Sequence, residues 1–121
     1  MLVDDSSICN LMLRKVLGRL PFEMEMHDFT NPVQALEQVQ RLNPAVIMLD
    51  LNMPELDGWG FLEQMKASGL TNKVVILTSS TSQIDRTRCA NFNNVLAYHN
   101  KPLSADVVNQ LSQAFSTELH Q

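Results

Sequence analysis

Ala45-Val46-Ile47-Met48-Leu49 runs unbroken into Asp50, with Pro44 just ahead of it and Pro54 just behind. A strand with one wet face alternates apolar and polar side chains, and this one does not. Both of its faces must be covered, as in a parallel sheet held between helical layers. Neither proline could donate to a ladder in mid-strand, so the two bracket the element. Asp50 falls where the strand gives way to a loop. In an open parallel sheet, that carboxyl end is where ligands bind.

The remaining segments fit the same frame. Met1-Leu2-Val3 is a short apolar run ending at Asp4-Asp5, and Ser6 or Ser7 can cap the helix that follows. Ile8, Met12, Val16 and Leu20 define that helix's stripe, with Leu13 and Leu17 beside it, and Gly18 and Pro21 end it. Phe22 to His27 alternates strictly, which predicts an edge strand. Asn31-Pro32 starts a second helix striped by Val33, Leu36, Val39 and Leu42, closed by Asn43-Pro44. Trp59, Phe61, Leu62 and Met65 fit a third helix that ends near Ser68-Gly69. Val74-Val75-Ile76-Leu77 is another continuous apolar run, ending at Thr78, and the hydroxyl-rich Ser79 to Ser82 leads to a fourth helix. That helix has only a weak stripe, Ile84 with Cys89 and Phe92, and is expected to be loosely held. Val95 to His99 predicts the fifth strand, and Pro102-Leu103-Ser104 leads to a last helix facing inward through Val107, Val108, Leu111 and Phe115.

Strands that alternate with helices argue for βαβ crossovers and a parallel sheet with helices on both faces. The 121 residues, 45% of them apolar, fit one domain spanning 1–121. A formal charge of -4 argues against direct nucleic-acid binding by this domain. No apolar run reaches the length of a membrane span, and the first residues do not read as a signal peptide. Cys9 and Cys89 are far apart and form no CxxC pattern, so free thiols in the cytoplasm are expected. His27, His99 and His120 have no zinc-ligand spacing.

Chemistry-bearing residues collect at equivalent strand ends: Asp4 and Asp5 after the first, Asp50 after the third, Thr78 at the end of the fourth, Lys101 past the fifth. In a parallel sheet these ends share one rim. Carboxylates packed together repel unless a cation joins them. Mg²⁺ suits such a cluster because it takes oxygen ligands and accepts phosphate oxygens. One carboxylate could then serve as a nucleophile on phosphorus, with the metal, lysine and hydroxyl orienting the phosphoryl oxygens.

This ordered set resembles the receiver domain of two-component response regulators, in particular the single-domain chemotaxis regulators. The resemblance rests on Val3-Asp4-Asp5-Ser6, the strand to Asp50 with Met53-Pro54 and Asp57-Gly58, Leu77-Thr78-Ser79, and Tyr98 with Lys101-Pro102, in matching order and spacing over essentially the whole chain. It implies a flavodoxin-like, doubly wound five-stranded sheet of order 2-1-3-4-5. It implies that Asp50 takes a phosphoryl group from a histidine kinase or phosphotransfer protein. Asp4, Asp5, Asp50 and the backbone carbonyl of Asn52 would hold Mg²⁺ or Mn²⁺, Asp4 through water. Lys101 would pair with Asp50 and then with the phosphoryl group. Thr78 would move onto a phosphoryl oxygen, with small Ser79 beside it leaving room. Tyr98 would turn inward, reshaping the face of the fourth helix, fifth strand and fifth helix. Asn52, Met53 and Ser80 would flank the site, and the Lys101–Pro102 peptide would be cis. The downstream partner would be another protein or a fused output domain.

Three features depart from the family pattern. The first strand is short before the acidic pair, Asn93-Asn94 replace a common glycine-alanine pair, and His99 stands where an apolar residue is usual. Other readings compete with this one. A haloacid-dehalogenase-type phosphatase wants an acid two residues past its nucleophile, where this chain has Asn52. A flavodoxin-type carrier wants a phosphate loop after the first strand, where Asp4-Asp5 would repel the phosphate. A receiver-like module that binds partners without taking phosphate is the third.

Overall fold

The computed structural model describes residues 1–21 and 23–119. Its elements, in chain order, are β1 (Leu2–Val3), α1 (Ser7–Leu17), β2 (Asp28–Phe29), α2 (Pro32–Leu42), β3 (Val46–Leu49), α3 (Gly58–Ala67), β4 (Lys73–Thr78), α4 (Gln83–Arg88), β5 (Val95–Asn100) and α5 (Ala105–Leu119). A single 3₁₀ turn, Cys89–Asn91, follows α4. The strands form one sheet in the order β2-β1-β3-β4-β5, with every pairing parallel. The flavodoxin-like fold implied by the sequence is the fold observed. Because β1 and β3 are neighbours while their crossovers lead to opposite sides, a crevice opens at their carboxyl ends.

Pleating divides β3 between two cores. Val46 and Met48 join Leu2, Val75 and Leu77 under Leu13 and Leu17 of α1 and Leu111 and Phe115 of α5. Ile47 and Leu49 join Val3, Val74 and Ile76 under Ala35 and Val39 of α2 and Phe61, Leu62 and Met65 of α3. Each such side chain contributes about 1.5–3 kcal/mol on full burial. The central strands are therefore a rigid base from which the loop residues project.

Several expectations are corrected. The alternating segment from Phe22 to His27 is not β2; Phe22 lies outside the described residues, and Glu23 to His27 form no regular strand. A strand needs a partner opposite it. β1 offers only Leu2 and Val3, and these pair with Asp28 and Phe29. Met24 and Met26 still pack against the core beneath α1 and α5. The α1 stripe is also rotated. Ile8 and Met12 are 68% and 61% exposed, and the buried side chains are Asn10, Leu13 and Leu17. Asn10 sets this phase: its Nδ2 donates to the backbone oxygens of Asp4 and Phe29, both at 3.1 Å, tying the helix to the ends of β1 and β2. In α2, Val33 is exposed while Ala35 and Val39 are fully buried. In α4, Ile84 is 75% exposed, and Phe92, beyond the helix, is the buried member of the expected stripe. His120 lies outside the described residues.

Asn94 occupies its departure from the family pattern with a structural role. Its Nδ2 donates to the Asn72 carbonyl at 2.9 Å, and its own carbonyl accepts from Val74 N–H at 2.8 Å. His99 is half-buried, and burial, then the charge of Arg86, holds its pKa below the ordinary histidine value.

Candidate functional site

Backbone hydrogen bonds place the rim residues. Asp50 N–H donates to the Val3 carbonyl at 3.0 Å, so the end of β3 is fixed beside the acidic pair. Lys101 N–H donates to the Thr78 carbonyl at 2.8 Å, which brings the residue after β5 back over β4. The Lys101–Pro102 peptide is cis. Gly58, at the start of α3, is required by close approach: a Cβ there would lie 2.7 Å from the Asp50 carbonyl oxygen and 2.8 Å from Leu51 Cα. Asp57 caps that helix through its Oδ1, which accepts from Gly60 N–H at 2.7 Å.

Carboxylate oxygens of Asp4, Asp5 and Asp50 lie within 4.8 Å of one another. Asp4 and Asp50 are buried, and Asp5 is exposed to solvent. Asp4 has both oxygens engaged: Oδ1 accepts from Ser6 N–H at 2.9 Å, and Oδ2 accepts from Lys101 Nζ at 2.6 Å. Lys101 is 3.8 Å from Asp50 Oδ2, so its closer partner is Asp4. The pairing with Asp50 that the resemblance implies is present at 3.8 Å, and the same ammonium also holds Asp4, so it offsets both buried acids. Asp50 Oδ1 is buried and has no hydrogen-bond partner among the described residues.

Burial pushes the Asp50 carboxyl above the ordinary aspartate value; Lys101 opposes the shift, and the charges of Asp4 and Asp5 add to it. For Lys101, burial acts to lower the pKa, but the hydrogen bond to Asp4 and the charges of Asp50 and Asp4 outweigh it and the net shift is upward. Three clustered acids, one of them with an orphaned buried oxygen, form a donor set of hard oxygens that fits a small divalent cation such as Mg²⁺ or Mn²⁺.

Thr78 is fully buried, and its Oγ1 accepts from Ser80 N–H at 3.2 Å and faces Asn52 Nδ2 at 3.4 Å. Asn52 and Ser79 are exposed, and Met53 is buried. Asn52 offers an amide at the position where a phosphatase of the dehalogenase type would hold its acid. The Ser80 side chain donates to Asp85 Oδ2 at 2.7 Å. Tyr98 is half-buried; its hydroxyl donates to the Ser80 carbonyl at 3.2 Å, and the Arg86 guanidinium lies 4.9 Å from its ring centroid. Asn100 Nδ2 also donates to the Ser80 carbonyl.

Sequence reasoning missed Asn10, Asp85 and Trp59. A lone asparagine within an apolar helix was a visible signal for Asn10. A buried indole N–H requires an acceptor, and the Trp59 Nε1–H finds it in Asp85 Oδ1 at 3.1 Å.

A doubly wound sheet whose switch point carries clustered acids, a lysine and a buried threonine defines a class of α/β domain with a crevice ready for a cation and an anion. Within that class, the chain belongs to the response regulator receiver domain family, whose profile matches residues 1–112. It is 34% identical over 102 residues to a protein-glutamate methylesterase/protein-glutamine glutaminase of Xanthomonas campestris pv. campestris, covering 84% of this chain and 28% of that protein. The chain thus spans less than a third of the length of such relatives. Among solved structures it is similar to a two-component response regulator from Cytophaga hutchinsonii, with TM-score 0.82, 25% identity and coverage of 99% of this chain and 95% of the other. It is also similar to the Mn²⁺-bound form of response regulator Rcp1, with TM-score 0.76, 26% identity and coverage of 96% and 89%. Membership places the chain in phosphorelay signal transduction. Among the described residues, no helix is long and apolar enough to cross a membrane.

Proposed function

We propose that residues 1–121 form one receiver domain that accepts a phosphoryl group on Asp50. The observation that carries this reading is the buried, unpartnered Asp50 Oδ1, set among two further acids and Lys101 at the switch point. In the proposed transfer, an Asp50 carboxylate oxygen forms a bond to phosphorus. The phosphorus–nitrogen bond of a donor phosphohistidine breaks, and its electron pair returns to the imidazole. Asp4, Asp5, Asp50 and the backbone carbonyl of Asn52 would hold Mg²⁺ or Mn²⁺, which supplies positive charge for the phosphoryl oxygens. Lys101 orients one phosphoryl oxygen. The Thr78 hydroxyl donates to another, and exposed Ser79 leaves space beside it.

The donor is a histidine kinase or phosphotransfer protein in the cytoplasm. Ile8, Leu11 and Met12 give it a face: all three are exposed on α1, which begins directly after the acidic pair. The output is a change in the surface of α4, β5 and α5, reported through Thr78 and Tyr98, read by a downstream protein or an attached domain. The domain assists transfer to and from its own aspartate and turns over no separate substrate; methylesterase activity belongs to the relatives.

The test is intact mass after incubation with acetyl phosphate and Mg²⁺. One added phosphoryl group is expected in the wild type, and none in Asp50→Asn or with chelator. No gain, together with no beryllofluoride binding, would replace this reading with a phosphate-independent interaction module.

A further inference from the structure

We propose that Asp85 is a positioning residue that straps the Thr78–Ser80 segment to α3 through Trp59, holding the switch in its unphosphorylated arrangement. The inference rests on the phosphoacceptor reading and extends it to a residue outside the crevice.

The strap is a chain of hydrogen bonds through two oxygens of one carboxylate. Asp85 Oδ1 accepts from the indole Nε1–H of Trp59 at 3.1 Å, and Asp85 Oδ2 accepts from Ser80 Oγ at 2.7 Å. Trp59 is 5% exposed, stacks on Phe92 at 5.9 Å between centroids, and carries the Arg88 guanidinium 4.6 Å from its ring centroid. It is a fixed post. Ser80 is held by further bonds. Its N–H donates to Thr78 Oγ1 at 3.2 Å, its carbonyl accepts from the Tyr98 hydroxyl at 3.2 Å and from Asn100 Nδ2, and its Oγ accepts from Ser82 N–H at 3.3 Å. Asp85 N–H is itself capped by Ser82 Oγ at 3.4 Å. No side chain of α4 is buried, so polar ties rather than apolar packing locate this helix.

The mechanical consequence follows from the shared atoms. A Thr78 side chain that moves toward a phosphoryl group on Asp50 takes Oγ1 from the Ser80 N–H or draws Ser80 with it. Drawing Ser80 lengthens its bond to Asp85, which cannot follow while anchored to Trp59. The carboxylate thus opposes the movement, and hydrogen bonds to a charged acceptor are stronger than neutral ones. A ligand favouring the moved arrangement must work against this differential.

The experiment titrates the Mg²⁺-saturated protein with beryllofluoride, following Trp59 emission and, independently, calorimetric heat. The chain has a single tryptophan, so emission reports this post alone. Asp85→Ala is expected to bind beryllofluoride about three- to tenfold more tightly, the worth of one hydrogen bond across the switch. Ser80→Ala is expected to gain similarly, and the double variant is expected to gain no more than either single one, because both cut the same strap. Unchanged or weaker affinity in Asp85→Ala, or additive gains, would overturn the strap. If Asp85→Ala fails to fold, Trp59→Phe carries the same expectation by calorimetry. A wild type that binds no beryllofluoride overturns the phosphoacceptor reading and this inference together, whereas binding with no response to these substitutions overturns this inference alone.

Discussion

Replacing Asp50 with asparagine is expected to stabilise the fold at neutral pH in the absence of divalent metal. The magnitude follows from the charges around the carboxylate. A neighbouring acid within 4.8 Å repels it by at least about 3.5 kcal/mol at an effective dielectric constant of about 20, and Lys101 at 3.8 Å attracts it by about 4 kcal/mol. These two nearly cancel, and exposed Asp5 adds a screened repulsion. What remains is the desolvated Oδ1 with no partner, costing about 1–3 kcal/mol. The amide of the Asp50→Asn variant would carry no charge to desolvate. The expected gain is therefore about 1–3 kcal/mol, or about 3–6 °C in Tm per kcal/mol for a chain of 121 residues. The sign with pH is definite. Burial raises the Asp50 pKa in the folded state, so the fold binds this proton more tightly than the unfolded chain does. The favourable contribution of protonated Asp50 is complete below the unfolded value and is lost as pH rises through the folded one. The variant's advantage should be largest at neutral pH and disappear on acidification. Thermal and urea unfolding of both proteins in chelator, at several pH values, measures it. Added Mg²⁺ should narrow the gap, since it binds the wild type and stabilises it by mass action. Equal stability at neutral pH, or an advantage that does not change with pH, would refute the reasoning.

Gly58→Ala is expected to destabilise by about 1–3 kcal/mol, because the backbone of Asp50 and Leu51 must yield to a Cβ set 2.7 Å from the Asp50 carbonyl oxygen. Urea unfolding reads the loss, and slower labelling by acetyl phosphate reads the accompanying displacement of Asp50. Paired substitution of the exposed Ile8 and Met12 by aspartate is expected to slow transfer from a phosphohistidine donor tenfold or more, at about 1.4 kcal/mol per tenfold. Labelling by acetyl phosphate, a donor with no protein surface, should be unchanged, and equal loss with both donors would remove α1 from the docking face.

The convergence of residues on the rim was legible because it depends on strand ends, and continuous apolar runs mark those ends without ambiguity. Val46 to Leu49 and Val74 to Leu77 are buried on both faces, and Asp50 and Thr78 fall where those runs stop. The phase of a helix is a weaker signal. Residues 8, 12 and 16 and residues 10, 13 and 17 lie on adjacent strips of the same cylinder, and α1 has apolar side chains on both. Burial of the polar Asn10 decides between them, through bonds to backbone oxygens that no periodicity encodes. The misplaced β2 has a similar cause, since alternation marks a segment able to form a strand but not the register at which a two-residue partner will accept it. The preference of Lys101 for Asp4 over Asp50 is set by differences near 1 Å, below anything spacing can express.

The weak stripe of α4 carried more information than the strong stripes. A six-residue helix with no buried side chain contributes almost nothing to the hydrophobic core. What holds it is polar and local: Asp85 on Ser80 and Trp59, Arg86 on the Tyr98 ring, and Arg88 on the Trp59 ring. Such contacts are individually worth about 0.5–1.5 kcal/mol. A surface secured in this way can exchange one set of ties for another within the range of a single phosphoryl contact. The sheet beneath it, with Val74, Val75 and Ile76 fully buried, cannot follow without opening the core. The chain thus sets a rigid crevice beside an element of low stability, and the Thr78–Ser80 segment is where the two meet. Under the proposed phosphoacceptor function, that placement confines movement driven from Asp50 to the α4 and β5 side of the molecule.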